Sequence, residues 1–80
     1  MTFEEVKTRL NKVFCKVFED DNIVITEETT AKDIDKWESL THLTLISETE
    51  EEFEIKFKLT ELIDMKKVGD YINTIQSKVG

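Results

Sequence analysis

The residues with the most direct chemical potential are the single cysteine, Cys15, the single histidine, His42, and Ser39, three positions before that histidine. A Ser39–His42 or Cys15–His42 pair is the raw material of nucleophilic catalysis, but such a site also needs a third group orienting the base inside a pocket. His42 falls beside the apolar positions of its own segment, which assigns it a packing role. Asp20-Asp21-Asn22 with Glu27-Glu28 offers carboxylates for a divalent cation. The stretch lacks the glycine and alternating ligands of a calcium loop and reads as solvent-facing. One cysteine excludes an internal disulfide and a multi-cysteine zinc site. With no phosphate-cradling glycine loop either, no intrinsic enzymatic activity is expected.

Ser39 has a different chemical use. It stands at the start of an apolar-periodic segment, where free backbone amides and the positive end of the helix dipole favour a phosphate ester. A serine there is also a normal helix cap. Asp35 with Glu38 three residues on is a competing Asp-x-x-Glu box, which would leave Ser39 inside the first turn with its hydroxyl unused. Downstream the charge is lopsided. From Glu38 to Glu54 there are six glutamates and no lysine or arginine; the other sixty-three residues hold twelve acids and eleven bases. Thus one segment carries nearly all of the net charge of −7. Its glutamates cluster at the helix C-terminus, where the dipole favours cations, and Glu48/Glu52 and Glu50/Glu54 are like-charged neighbours. The run has no counterion and shares its helix with Leu40 and Leu43, so it reads either as a solvated face or as a docking surface for basic partners. The acidic balance argues against nucleic acid and against anionic lipid.

The elements that must position these residues are helical. Eighty residues make one domain, residues 1–80, with a thin core and marginal stability. Zero proline and two glycines disfavour a hairpin-rich fold. Thr2 with Glu5 is a capping box for a first helix to Phe18, in which Phe3, Val6, Leu10, Val13, Phe14 and Val17 share a face. Cys15 sits beside that arc as a half-covered thiol. From Glu19 to Trp37 the periodicity is lost. Ile23-Val24-Ile25-Thr26 reads as pinned loop or as a lone strand without a partner, with a short helical turn near Ala31–Ile34. A second helix spans Ser39 to Phe53. It turns Leu45, Ile46 and Phe53 inward, with His42 and Thr49 between them, and Leu40 and Leu43 elsewhere. A short helix near Thr60–Asp64 and a last one from about Lys66 to Lys78 complete an all-α four-helix bundle with a long first loop. No run suits a membrane span or a signal peptide, so a complete, monomeric, cytoplasmic protein is expected.

Trp37-Glu38-Ser39-Leu40-Thr41-His42-Leu43, followed by Glu50-Glu51-Glu52-Phe53-Glu54-Ile55, resembles the second helix of acyl carrier proteins. Helix order, chain length and the ending from Met65 to Ile72 extend that resemblance over nearly the whole chain. It implies 4′-phosphopantetheine on Ser39 through a phosphodiester, with acyl groups held as thioesters on the arm's thiol in fatty acid or related biosynthesis. It further implies a partner-binding face of Glu38, Leu40, Leu43, Ser47, Glu50 and Glu51. That face would meet a phosphopantetheinyl transferase and acyl-transferring enzymes with basic docking patches. Leu45, Phe53 and Ile72 would line or support an interior able to shelter part of an acyl chain. The chain departs from the family pattern at Glu38, where Asp is usual, at Thr41 and Thr44, where acids are common, and at Trp37, where a small residue is common. The other reading of the same acidic helix is an adaptor that binds a basic protein and carries no cofactor.

Overall fold

The computed structural model describes residues 1–79, which form four helices: α1 (Phe3–Phe18), α2 (Ser39–Phe53), α3 (Leu59–Asp64) and α4 (Val68–Val79). Among the described residues there is no strand. Helix α1 is the central element and packs against both α2 and α4. Its start follows from the capping box. Thr2 Oγ1 accepts the Glu5 N–H at 3.2 Å, and the Glu5 carboxylate accepts the Thr2 N–H at 3.0 Å. Those bonds hold the Glu5 carboxyl below its usual range. The helix ends at Glu19, whose backbone is left-handed with φ of 53°.

One apolar cluster joins the helices. Val6, Leu10, Val13, Phe14 and Phe18 of α1 meet Leu45, Ile46 and Phe53 of α2 and Val68, Tyr71, Ile72 and Ile75 of α4. The inward face of α2 is the expected one, with Thr49 buried in its middle. The Thr49 hydroxyl donates to the Leu45 carbonyl at 2.7 Å, so burial leaves it satisfied. The face of α1 differs at its end. Phe18, rather than Val17, is fully committed to the core, because its ring packs on Phe14 and on Trp37 from the loop.

The long connection between α1 and α2 is extended at Ile23–Ile25 and is not a strand. A side chain does the work of a partner strand. Asn11 of α1 donates to the Ile23 carbonyl at 3.0 Å and accepts the Ile25 N–H at 2.7 Å. Ile25 is thereby buried while Val24 points outward. The half-buried Cys15 thiol donates to the same Ile23 carbonyl at 3.6 Å. Near Ala31 there is a single hydrogen-bonded turn, closed by Asp33 N–H on the Thr30 carbonyl.

Helix α4 begins at Val68 rather than at Lys66. The Val68 and Gly69 amides donate to the Thr29 and Glu27 carbonyls of the loop at 2.9 and 3.0 Å, and the Asp70 carboxylate accepts the Lys66 and Lys67 amides. The helix therefore starts where the loop docks. Gly69 permits that approach, since a Cβ there would lie 3.1 Å from the Glu27 carbonyl oxygen. Helix α3 starts one residue earlier than expected, at Leu59, because the Glu61 carboxylate accepts the Lys58 N–H. Glu61 also pairs with Lys78 at 2.9 Å, tying α3 to α4.

Asn11→Ala removes both bonds to the loop and strands the Ile25 amide in a buried site. The expected loss is about 1–2 kcal/mol, a small gain in helix propensity being outweighed by an unpaired donor. Urea denaturation reads this directly, and an unchanged midpoint would show that the Asn11 bonds add nothing to the hold on the loop.

Candidate functional site

The site is built around the head of α2. The Asp35–Glu38 box does not form. Glu38 is itself the residue before the helix, extended at φ −120° and ψ −179°, and its side chain makes no cap hydrogen bond. Thr41 Oγ1 accepts the Glu38 N–H at 2.7 Å and donates to the Lys36 carbonyl at 2.6 Å. Ser39 is thus the first helical residue, exposed to solvent and not the cap. An exposed hydroxyl at the positive end of a helix suits a phosphodiester, whose negative charge the adjacent amides stabilise.

Behind Ser39 the chain is aromatic. Trp37 is 8% exposed and packs edge-on against Phe14, with ring centroids 5.2 Å apart, and against Tyr71 at 6.0 Å. Its indole Nε1–H donates to His42 Nδ1 at 2.9 Å, and the two rings lie nearly parallel, 18° apart. His42 therefore accepts at Nδ1 and carries its proton on Nε2. This engagement leaves the imidazole unavailable as a base for Ser39. Beside the pair runs an open groove of about 540 Å³ lined by Ala31, Trp37, Glu38, Ser39, His42 and Leu43.

The outward face of α2 brings together Leu40, Leu43, Ser47 and Glu51, all exposed, with the two leucines at 81% and 67%. Glu50, placed by the sequence among the docking acids, is half-buried, and its carboxylate accepts the Phe57 N–H at 2.8 Å. It helps turn the chain from α2 towards α3. The acidic run also has counterions, which come from α1. Lys16 Nζ lies 3.0 Å from Glu48 and Arg9 Nε 2.8 Å from Glu52. The Glu48 partner holds the Lys16 ammonium above its ordinary value. Arg9 donates to the Glu52 carbonyl as well and lies over the Phe53 ring, 4.8 Å from its centroid. The periodicity carried a signal for these pairs, since Arg9 and Lys16 lie two turns apart on one side of α1. Only the tertiary packing says which glutamates they meet. The ion pairs of the described residues leave Glu38, Glu51 and Glu54 unpartnered.

Among the described residues no three His, Cys, Asp or Glu side chains gather to hold a metal, and no helix is long and apolar enough to cross a membrane.

Burial pushes the His42 imidazole below its ordinary 6.5. Protonation would place a hydrogen on Nδ1, facing the Trp37 donor. The unfolded chain then binds the proton more readily than the folded one. Stability is full above about pH 6.5 and falls as pH drops through 6.5 towards the folded value. An NMR titration of the His42 ring should give a midpoint below 6.5, with urea stability declining over the same window; a midpoint at or above 6.5 would contradict the buried acceptor.

A scan against protein-family models finds no match, and a search of curated proteins finds none either. Among solved structures the chain is similar to the solution NMR structure of the holo acyl carrier protein from Geobacter metallireducens. The two are 44% identical, the match covers 92% of this chain and 85% of that one, and the TM-score is 0.88. Four helices in the expected order, an exposed serine heading the acidic second helix, and identity at this level over nearly the full length agree: the chain belongs to the acyl carrier protein family, and is a carrier rather than an enzyme.

Proposed function

We propose that Ser39 carries the family's 4′-phosphopantetheine arm and that the outward face of α2 presents it to partner enzymes in fatty acid or related biosynthesis. The observation that carries this reading is the placement of Ser39, exposed at the first position of α2 and free of the capping duty. The arm supplies a thiol on which acyl groups are held as thioesters. What the chain contributes is position. Ser39 anchors the tether, and the amides at the head of α2 favour its phosphate charge by roughly 0.3–1 kcal/mol. Tethering holds the acyl group near a docked enzyme at an effective concentration on the order of millimolar.

Recognition falls to Leu40 and Leu43, which are large, apolar and open, and to the carboxylates around them. Glu38 and Glu51 lie exposed beside the serine and the leucines, and Ser47 separates the apolar and acidic parts of the face. Glu50 shapes the end of that face through its bond to Phe57. The partners this surface fits are a phosphopantetheinyl transferase and acyl-transferring enzymes with Arg- and Lys-rich patches. Such docking is fast, weak and steered by charge, as a monomeric cytoplasmic carrier exchanging partners requires.

Incubation with coenzyme A and a phosphopantetheinyl transferase should add one phosphopantetheine to the intact mass, and Ser39→Ala should abolish the gain completely. A chain that stays bare with several transferases would instead be an acidic adaptor. Raising ionic strength from low to well above physiological should slow association with the transferase roughly tenfold or more, and Glu51→Gln should flatten that salt dependence. Salt-independent association would remove the acidic face from recognition.

A further inference from the structure

We infer that Lys12 and Lys16 of α1 are specificity-determining residues, which hold partner bases off the α1 side of the acidic face and centre docking on Glu51. The inference deepens the reading that basic enzymes dock on α2, and rests on it. Its basis is the seam between the two helices, a groove of about 370 Å³. Arg9, Lys12 and Lys16 line one bank, and Glu48, Glu51 and Glu52 line the other. Steps of three and four residues put the three bases on one side of α1. Glu51 also belongs to the outward face of α2, so that face ends against a row of cations.

Each base acts differently. Arg9 is committed to Glu52, bonding its carboxylate and its carbonyl while covering Phe53. Lys16 is exposed and holds Glu48 through one contact at 3.0 Å. Lys12 is exposed in the same groove and takes part in none of the ion pairs of the described residues. Glu51 is therefore the one carboxylate of this groove outside an ion pair. A partner arginine approaching Glu48 must displace Lys16, and one arriving over α1 meets the free ammonium of Lys12. Like charges brought together in this way suppress unsuitable partners and slow their association. At 0.1 M ionic strength the repulsion reaches roughly 10 Å. Glu48 lies roughly 14 Å of helix beyond Ser39, so bases placed over the head of α2 escape it. The enzymes admitted have a compact basic patch running from the head of α2 to Glu51. A patch that spreads over α1 is turned away.

The test uses the full chain with coenzyme A and a phosphopantetheinyl transferase. Intact mass is read first: a chain that gains no phosphopantetheine removes the Ser39 reading, and this inference with it. Once the gain is seen, association rates with the transferase at about 0.1 M ionic strength decide. Lys12→Gln and Lys16→Gln should each speed association about twofold to threefold and steepen its salt dependence. Lys16→Arg keeps the charge and should stay at the native rate. Removing the pair together, as Lys16→Gln with Glu48→Gln, should return the rate close to native. Lys66→Gln makes the same change in net charge at an exposed position outside the groove, and should leave the rate unaltered. Native rates for Lys12→Gln and Lys16→Gln, or an equal gain from Lys66→Gln, would overturn the inference while loading of Ser39 stands.

Discussion

The packing of α1 against α2 is the contact on which the site depends, because it decides which side of α2 remains in water. Leu45, Ile46 and Phe53 are large side chains, and full burial of each contributes about 1.5–3 kcal/mol. The exposed ion pairs along the same seam are worth at most about 1 kcal/mol apiece. Apolar contact therefore orients the helix, and charge adjusts it. Once that face is turned inward, 100° per residue leaves Leu40, Leu43, Ser47 and Glu51 outside. The outward face of α2 is the remainder of a packing decision.

A helix with four glutamates, a further one at each end and no lysine or arginine is locally unfavourable, and the fold answers this from α1. Arg9 is the clearest case. Its guanidinium bonds the Glu52 carboxylate and carbonyl together and covers Phe53, so one side chain supplies charge, a C-terminal partner and an apolar lid. Lys16 does less, through Glu48 alone. Neutralisation stops at the α1 side. Glu38 and Glu51 face solvent without an ion-pair partner among the described residues.

The first loop is long for a domain of this size, yet it is fastened at three points. Asn11 holds Ile23 and Ile25, α4 donates to Glu27 and Thr29, and Trp37 enters the core. The last of these fastenings lies two residues from Ser39. Trp37 thus connects the core to the site, and its bond to His42 makes the head of α2 part of the packed structure rather than a free end.

Much of this could be read along the chain. The helical periods, the Thr2–Glu5 box, the bounds of α2, the inward set Leu45, Ile46, Thr49 and Phe53, and the position of Ser39 outside that set are local properties. They follow from side chains one or two turns apart, whose relation any helix enforces. Other features have partners remote in sequence. Arg9 and Lys16 acquired their glutamates, Asn11 its loop, Gly69 its close approach to Glu27 and Trp37 its bond to His42 only when the elements packed. Glu50 shows the division most plainly. Its charge and its helix were evident from the sequence, but the bond from the Phe57 amide to its carboxylate depended on where the chain went after α2, and periodicity does not encode that path.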